Sequence, residues 1–371
     1  MAESIFRFAD EIGPSKIVHL YNPAVDLKAI VVVDNIAAGP AIGGTRMAPD
    51  VSVDECFRLA RAMTLKNAAA SLPHGGAKSV IFGDPAMKSA DKEAHIRAFA
   101  CEIRDLVEYI PGPDMGTNET SMAWIKDETG RSVGLPRELG GIPLDEIGAT
   151  GFGLAIAAEA AEPFCDIELA GARVAIQGFG AVGKHAARFL TQRGAVLVAA
   201  SDSSGAIHDP DGIDVADLIA FKESGGQIGD YEKGRKLGSD DIVGTACDIW
   251  IPAARPDVLR MDNVDRVDCK LVLQGANIPV TPEAEARLHE RGILSLPDFI
   301  ANAGGVICAS VEYRGGTEAD ALRTIEEKIR RNANEVLERA RDDNSTPRRA
   351  AVELATERVR KAMHLRRWHS Q

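Results

Sequence analysis

Three polar side chains in the first third of the chain lie where burial would normally exclude charge. Lys66 lies at the edge of the apolar stripe of a predicted helix, Lys78 follows a glycine pair and precedes an apolar run, and Asp114 lies in a loop of proline and glycine. Taken singly, each has an ordinary structural explanation, because an edge lysine extends to solvent and turns accommodate aspartate. Taken together, they are suited to acid–base chemistry on an amine that carries a carboxylate.

The chemistry gives a different role to each of the three side chains. One lysine would bind a substrate carboxylate as a fixed cation. The second lysine, crowded by that cation and partly desolvated, would have a lowered pKa and act as a base near neutrality. The aspartate would pass protons to and from an amine.

A glycine-rich turn near the middle of the chain is typical of dinucleotide-binding proteins. In the stretch ARVAIQGFGAVG, residues 172–183, a short apolar strand leads into the spacing GxGxxG, and a helical pattern follows. Without those flanking elements the motif would be no more than a tight strand–helix turn. Gly178 would make the turn, Gly180 would let a pyrophosphate approach the helix, and Gly183 would let helix and strand pack closely. The remaining loop residues are Phe179, Ala181 and Val182.

An acidic residue follows the glycine loop at the distance that dinucleotide binding requires. A second predicted strand ends at Asp202, 19 residues after Gly183, where a carboxylate can accept hydrogen bonds from a ribose. Asp202 would repel a 2′-phosphate, so the sequence favours NAD over NADP. The neighbouring Ser201, Ser203 and Ser204 are small donors that could hold a phosphate, so NADP stays open. A nicotinamide cofactor implies hydride transfer.

Seven motifs, in order along the chain, carry a resemblance to a known family. They are GPAIGGTRM, AMTLKNAAASLPHGGAK, GPDMGTNETSMAWI, ATGFG, QGFGAVG, QGAN and PDFIANAGGV. From about Asn22 to the C-terminal helix the chain resembles the glutamate/leucine/phenylalanine/valine dehydrogenases. The resemblance implies reversible NAD(P)-dependent oxidative deamination of an L-amino acid to a 2-oxo acid and ammonia.

The resemblance also implies roles for the three polar side chains of the first half. Lys66 matches the lysine that binds the α-carboxylate, Lys78 the lysine that activates water for attack on an imine, and Asp114 the aspartate that transfers protons. Gly44, with Gly43, matches a segment whose backbone carbonyl helps to hold the amino group.

Three further positions match residues of the family's cofactor and substrate sites. Thr150 and Asn277 match positions that hold the nicotinamide and its ribose, and Asn302 matches the asparagine of the NAGG segment at the cleft, which implies a substrate-binding role.

Two positions bear on the side chain of the substrate. Glutamate enzymes of the family carry a lysine before the Gly-Gly of the first motif, where this chain has Ile42, and a serine where this chain has Ala309. A buried carboxylate without a partner costs several kcal/mol. We therefore predict an apolar substrate side chain, such as that of leucine, valine or phenylalanine.

Two alternatives stay open at this point. One is a glutamate dehydrogenase in which another cation, such as Arg46, holds the side-chain carboxylate, and the stretches NETSMAWI and SDSSGAIHDPDGID do look like the glutamate branch. The other is a dinucleotide-binding regulatory protein without turnover.

The elements that must position these residues alternate between strand and helix. In the first part we predict strands at 29–33 and 79–82, helices at 54–71 and 91–109, a loop at 109–118, and a helix capped by Thr117 or Asn118. Residues 130–148 form the predicted linker. Predicted strands follow at 172–177, 195–201, 248–251, 271–274 and 293–296, and the chain is helical from Glu318, with Thr346 and Pro347 at the start of the last helix.

This pattern predicts an α/β protein of two domains with a cleft between them. Residues 1–145 would form an α/β domain for substrate binding and oligomerisation, and residues 146–330 a Rossmann-type, doubly wound nucleotide domain. The helices of residues 331–371 would pack back onto the first domain. A length of 371 residues suits two domains.

The amino-acid composition excludes several classes of binding partner. The net charge of −12 argues against nucleic acid and anionic membranes, and no apolar run reaches the roughly 20 residues of a membrane helix. The acidic N-terminus does not look like a signal peptide. Six scattered cysteines fit free thiols in a reducing cytoplasm better than disulfides or a metal site. The expected partners are a small L-amino acid or 2-oxo acid with ammonia, and, by resemblance, further copies of the chain in a homo-oligomer.

Overall fold

The computed structural model describes residues 6–365, so the first five residues of the N-terminal stretch lie outside the described part. The chain divides into two compact units. The first is built from the chain up to Pro143, from Val306–Ala321 and from the chain from Val352 onward; the second comprises Leu144–Gly305 and Leu322–Ala351. This division differs from the predicted one at the C-terminus, because the last three helices each run across a unit boundary.

The first unit begins with five strands and three helices. In chain order they are β1 (Lys16–Asn22), β2 (Leu27–Asn35), β3 (Ala41–Ala48), α1 (Val53–Ala69), β4 (Gly75–Phe82), α2 (Ser89–Glu102), β5 (Tyr109–Pro113) and α3 (Glu119–Thr129).

The strands of the first unit form one mixed sheet in the order β1-β2-β4-β3-β5. β1 with β2 and β2 with β4 are antiparallel pairs, whereas β3 runs parallel to both β4 and β5. Apolar residues alternate between the two faces of β2 and β4, so that each face has a core of its own. Val32 and Val80 belong to the core that includes Cys56 and Ala60 of α1, and Val31 and Ile81 to the core that includes residues of α2 and α3.

Two predicted boundaries in this unit are wrong. β4 begins at Gly75 rather than at residue 79, so Lys78 lies inside a buried strand and not at its mouth. The glycine pair permits close packing there, because a Cβ on Gly76 would lie 2.0 Å from the backbone nitrogen of Thr64. The helix predicted to end at Tyr109 ends at Glu102, and Tyr109 instead begins β5. The predicted cap is present, since Asn118 forms a capping box with Ser121.

The second unit continues the chain with seven strands and six helices. These are α4 (Leu144–Ile147), α5 (Ala149–Cys165), β6 (Arg173–Gln177), α6 (Ala181–Thr191), β7 (Val196–Asp202), β8 (Gly205–His208), α7 (Val215–Glu223), β9 (Arg235–Leu237), β10 (Ile249–Pro252), β11 (Leu271–Leu273), α8 (Pro282–Glu290), β12 (Leu294–Leu296) and α9 (Asp298–Ala301).

The sheet of the second unit has the order β12-β11-β10-β6-β7-β8-β9. The first five strands in this order run parallel, which is the predicted doubly wound arrangement. β8 and β9 extend the sheet with antiparallel pairing, which the sequence did not indicate. Trp250 of β10 is the largest buried side chain of the unit's core.

Three helices complete the chain: α10 (Gly304–Tyr313), α11 (Glu318–Asp342) and α12 (Pro347–Leu365). α12 begins as predicted, with Pro347 as its first residue and the hydroxyl of Thr346 accepting a hydrogen bond from the backbone N–H of Arg349. None of the helices in the stretch from residue 6 to residue 365 has the length and apolarity needed to cross a membrane.

A buried polar cluster in the second unit is centred on Arg348. Its guanidinium pairs with Glu285 of α8 and with Asp298 of α9, and it donates to the side-chain oxygen of Gln274. Asp298 in turn accepts a hydrogen bond from the backbone N–H of Ile278. The cluster therefore joins the start of α12 to the loop after β11.

We expect Arg348→Ala to destabilise this part of the unit strongly. Removing the cation leaves two buried carboxylates without their partner, a change that costs about 3–5 kcal/mol. Native-state hydrogen exchange of peptides covering α8 and β11 should accelerate by about two to three orders of magnitude. The exposed neighbour Arg349→Ala serves as the control and should leave these rates nearly unchanged. Equal rates in both variants would contradict the role given to Arg348.

Candidate functional site

The structure brings two of the predicted catalytic residues into contact. The ammonium of Lys78, on β4, lies 2.9 Å from a carboxylate oxygen of Asp114, which follows β5 directly. The Lys78 side chain is 6% exposed and that of Asp114 is 24% exposed. A buried amine therefore faces a carboxylate that still reaches solvent.

The surroundings move both pKa values downward. Burial lowers the pKa of Lys78, and the charge of Arg46 adds to this, while the pairing with Asp114 opposes it without reversing it. Burial alone would raise the pKa of Asp114, but the charges and hydrogen bonds of Lys78 and Arg46 outweigh it. Lys78 thus gives up its proton more readily than an ordinary lysine, and Asp114 stays a carboxylate.

Arg46 is part of this site, which sequence reasoning considered only as a possible partner of the substrate. Its Nε lies 2.7 Å from the carboxylate of Asp114, and its Nη1 pairs with Glu55 of α1. Arg46 directly follows Gly43, Gly44 and Thr45 on β3. Its position in the motif GGTR, beside the two glycines, could have marked it as a site residue. Its partner Asp114 lies 68 residues further along the chain, so the sequence alone did not show the contact.

The glycines of β3 make room for this pair. A Cβ on Gly44 would lie 2.8 Å from the Cβ of Asp114 and 3.1 Å from the ammonium of Lys78. A Cβ on Gly43 would lie 1.6 Å from the carbonyl oxygen of Ala77 on β4. The carbonyl of Gly43 accepts a hydrogen bond from the Tyr109 hydroxyl. The two glycines therefore bring β3 close to Lys78 without covering its amine.

Lys66 lies in the last turn of α1, the helix that packs against β4. The next residue, Asn67, fastens this turn to the sheet, because its amide donates to the carbonyls of Gly75 (2.7 Å) and Ile42 (3.4 Å). Lys66 is therefore held on an anchored turn beside the strand that carries Lys78.

Ile42 and Ala309, which are 267 positions apart in the sequence, lie in one cluster of buried apolar side chains. The other members are Ile110 of β5 and Val133, and all four are less than a tenth exposed. The segment after Val133 is tied to α10, because the buried carboxylate of Glu312 accepts hydrogen bonds from the backbone N–H groups of Leu135 and Ile142. The two positions predicted to face the substrate side chain are thus neighbours.

The glycine loop of the second unit has the geometry that a dinucleotide requires. Gly178 has a φ of +94°, and a Cβ on Gly183 would lie 2.0 Å from the carbonyl oxygen of Gly178. Gly180 precedes the first turn of α6, and a Cβ there would meet no atom within 4 Å. Open space at a helix N-terminus suits a pyrophosphate, so these residues fit NAD(P). Phe179 is buried, Ala181 and Val182 begin α6, and Asp202 is the last residue of β7.

Asn302, which is predicted to bind the substrate, lies close to the two positions that are predicted to hold the nicotinamide and its ribose. A Cβ on Gly304 would lie 2.1 Å from the carbonyl oxygen of Ala149, and one on Gly305 would lie 3.4 Å from the hydroxyl of Thr150. The Asn302 amide donates to the side-chain oxygen of Asn277 at 3.2 Å. Thr150, Asn277 and Asn302 therefore border one region of the second unit.

Comparison with known proteins agrees with this geometry. Residues 140–367 match the family model described as Glutamate/Leucine/Phenylalanine/Valine dehydrogenase, and residues 21–131 match the model described as Glu/Leu/Phe/Val dehydrogenase, dimerisation domain. The chain belongs to the Glutamate/Leucine/Phenylalanine/Valine dehydrogenase family. It is an amino-acid dehydrogenase, an oxidoreductase that acts on a CH–NH₂ group with NAD(P), and the predicted family is confirmed.

The proteins that are similar to this dehydrogenase are named for different substrates and cofactors. The glutamate dehydrogenase of Aeropyrum pernix is 39% identical over 90% of this chain and 85% of its own. The NADP-specific glutamate dehydrogenase of Saccharolobus shibatae is 37% identical over 90% of this chain and 83% of its own.

Two crystal structures also match it over nearly the whole chain. The hetero-hexameric glutamate dehydrogenase of Thermus thermophilus, in its Leu-bound form, has a TM-score of 0.85 at 31% identity and covers 96% of this chain and 91% of its own. The L-tryptophan dehydrogenase of Nostoc punctiforme has a TM-score of 0.75 at 25% identity and covers 95% and 97%. The predicted two-domain α/β fold is confirmed.

Replacing Arg46 should shift the pH dependence of this dehydrogenase. Arg46 lowers the pKa of Lys78, so Arg46→Gln should raise that pKa. The increase of kcat/KM with pH, which follows the deprotonation of Lys78, should therefore move to higher pH. Activity lost near neutrality should therefore return in part at alkaline pH. The control is Arg58→Gln, an exposed arginine of α1. An unchanged rise, or a shift to lower pH, would contradict the electrostatic role of Arg46.

Proposed function

We propose that the chain catalyses the reversible, NAD(P)-dependent oxidative deamination of an apolar L-amino acid, of the leucine, valine or phenylalanine kind, to its 2-oxo acid and ammonia. The observation that supports the apolar side chain is the cluster of Ile42, Ile110, Val133 and Ala309. A substrate side chain against this cluster would gain by leaving water, whereas a carboxylate there would lose its hydration without gaining a partner from these four residues.

The first step is the binding and deprotonation of the substrate. Lys66 would pair with the α-carboxylate, and the carboxylate of Asp114 would take a proton from the α-ammonium to leave a neutral amine. A bound nicotinamide would supply a hydride acceptor for the Cα hydrogen. Loss of that hydride leaves an iminium carbon next to the substrate carboxylate.

The second step is the attack of water on the iminium carbon. The neutral amine of Lys78 would take one proton from the water as its oxygen bonds to carbon, which gives a carbinolamine and a Lys78 ammonium. The protonated Asp114 would then return its proton to the substrate nitrogen. As the C–N bond breaks, the hydroxyl loses its proton to solvent, ammonia leaves, and Lys78 passes its extra proton to that ammonia. The lowered pKa of Lys78 suits the first of these transfers.

Glutamate is the alternative substrate, and the comparisons support it better than an apolar one, because the relatives at 37% and 39% identity are named glutamate dehydrogenases. The cation considered for its side chain is Arg46, which already pairs with both Glu55 and Asp114. Taking Arg46 away for a substrate would remove one of the two cations that hold Asp114 in its charged form. This cost favours the apolar substrate. A regulatory protein without turnover is disfavoured by the contact between Lys78 and Asp114.

The proposal also covers the cellular compartment and the assembly of the enzyme. The free cysteines, among them the buried Cys56 and Cys308, suit the cytoplasm. The first unit would carry the subunit contacts of a homo-oligomer, since residues 21–131 match a model described as a dimerisation domain. The first unit would bind the amino acid and the second the dinucleotide.

A panel of L-amino acids tests the substrate directly. NADH or NADPH formation at 340 nm should be seen with leucine, valine or phenylalanine, with kcat/KM for glutamate lower by a factor of at least about 100. Such a factor is what leaving a buried carboxylate unpaired implies at about 3 kcal/mol. Turnover of glutamate alone would overturn the apolar substrate and keep the chemistry.

Two variants show whether the cluster sets this preference. Ala309→Ser adds a hydroxyl, and Ile42→Lys with Ala309→Ser adds a cation as well, so glutamate turnover should rise from the first to the second. Thermal melting confirms that each variant is folded. Ile17→Val, a change at an apolar position on β1 outside the cluster, is the control. If neither variant gains glutamate activity while both stay folded, the cluster does not decide specificity.

A further inference from the structure

Asp114 is held at its backbone as well as at its carboxylate. The hydroxyl of Thr117 accepts a hydrogen bond from the backbone N–H of Asp114 at 3.0 Å and donates to the backbone carbonyl of Thr45, on β3, at 2.7 Å. The backbone N–H of Thr117 donates to the carbonyl of Asp114 at 3.0 Å, which closes the turn that follows β5. One hydroxyl group therefore joins this turn to the neighbouring strand.

A second set of contacts fastens the same turn to β3 two residues further along that strand. The backbone N–H of Met47 donates to the carbonyl of Met115 at 2.9 Å. Gly116 has a φ of +82°, and a Cβ there would lie 2.1 Å from the carbonyl oxygen of Met47, so the position requires glycine. Together with the contact of the hydroxyl group, these contacts flank the arginine that pairs with Asp114.

Three buried hydroxyl groups, those of Thr45, Ser79 and Tyr109, hold β3 in turn, and we call them the hydroxyl cluster. The hydroxyl of Ser79 donates to that of Thr45 at 3.0 Å. The phenol oxygen of Tyr109 lies 2.8 Å from the Ser79 hydroxyl and 3.2 Å from the Thr45 hydroxyl. All three residues are fully buried. The cluster thus joins β3, β4 and β5, the three strands on which the site is built.

The hydroxyl cluster and the buried amine lie on opposite faces of the sheet. Successive residues of a strand point to opposite faces, so Ser79 lies on the far side of β4 from Lys78. The cluster therefore acts through the positions of the strands, on the side away from the amine. Thr117 connects these positions to Asp114, because its hydroxyl binds the carbonyl of Thr45.

We propose that Thr117 is a positioning residue, which holds Asp114 in contact with Lys78 by fixing the backbone of Asp114 to the strand that the hydroxyl cluster secures. The inference rests on the proposed function in one respect, since the contact matters for turnover only if Lys78 is the base. Valine resembles threonine in shape but lacks the hydroxyl, so Thr117→Val removes the bonds to Asp114 and to β3 together. The carboxylate would then be less closely held against the amine.

The charges that face the amine of Lys78 give the direction of the effect. Burial lowers the pKa of Lys78, Asp114 raises it, and Arg46 lowers it. A further titratable group beside the amine is the thiol of Cys56 on α1, which the substitution leaves in place. Weakening the contact with Asp114 should therefore lower the pKa of Lys78, whereas Arg46→Gln should raise it.

Competitive labelling of the full-length protein with acetic anhydride over a range of pH measures this pKa without turnover, because only a neutral amine reacts. Mass spectrometry of the peptide that carries Lys78 gives its degree of labelling at each pH. The midpoint of labelling should move to lower pH in Thr117→Val and stay at the wild-type value in Thr117→Ser, which keeps the hydroxyl. At a pH above both midpoints, kcat should fall about 3- to 10-fold in the valine variant, as expected for lost hydrogen bonds, and recover in the serine variant.

Thr129→Val is the matched control. Thr129 is also a partly buried threonine, and its hydroxyl donates to the carbonyl of Ile125 at 2.7 Å and accepts from the backbone N–H of Arg131 at 3.3 Å. It is the last residue of α3. This variant should lose about as much thermal stability as Thr117→Val and should leave both the labelling midpoint of Lys78 and kcat unchanged.

Failure of the inference and failure of the proposed function give different results. If the midpoint of Lys78 in Thr117→Val is unchanged or moves to higher pH, or if Thr129→Val moves it equally, Thr117 does not position Asp114 and the inference is wrong. It is also wrong if Thr117→Ser does not restore the midpoint. If the midpoint moves as expected while Lys78→Met keeps its turnover, the positioning is supported and the role of Lys78 as the base is wrong.

Discussion

The contact between Lys78 and Asp114 is the interaction on which the rest of the first unit depends. A lysine in the middle of a sheet is unfavourable unless a carboxylate lies against it, and the carboxylate in turn needs a second cation to stay charged. Arg46 supplies that cation from the neighbouring strand. The space for this arrangement comes from Gly44, where a side chain would meet both the amine and the aspartate. The contact of Lys78 with Asp114 therefore depends on the register of the sheet, on the position of the glycine and on the charge of Arg46.

The second unit uses small residues in the same way. Gly183 lets α6 begin against β6, and Gly304 lets α10 begin against the first turn of α5. In both places a side chain on the glycine would meet a backbone carbonyl, so the helix could not begin where it does. The Arg348 cluster holds the loop that carries Asn277, through Asp298 and the backbone of Ile278. The loop of Asn277, a residue predicted to hold the nicotinamide or its ribose, is thus supported by a buried ionic group.

The sequence predicted the residues with unusual chemistry better than it predicted the elements that hold them. Lys78 and Asp114 stood out because charge is rare next to apolar runs and glycines, and their contact follows the expected chemistry. β3 and β5 were missed, since AIGGTRMA and YIPGP contain the glycine and proline that usually mark turns. In these strands glycine is needed for close packing, which depends on the neighbouring strand and is not visible locally. The partners of Arg46 were missed for the same reason, because each of its contacts joins separate elements.

The most direct test of the central claim is the turnover of Lys78→Met, which keeps the length of the side chain and removes the amine. With NAD(P) binding and thermal melting unchanged, kcat on the best amino acid of the panel should fall by about 10²- to 10⁴-fold, as expected for the loss of a general base. Lys88→Met, a change at an exposed lysine, should leave kcat unchanged. If the folded Lys78→Met protein keeps most of the wild-type kcat, the buried amine does not activate water, and the role given to its contact with Asp114 is wrong.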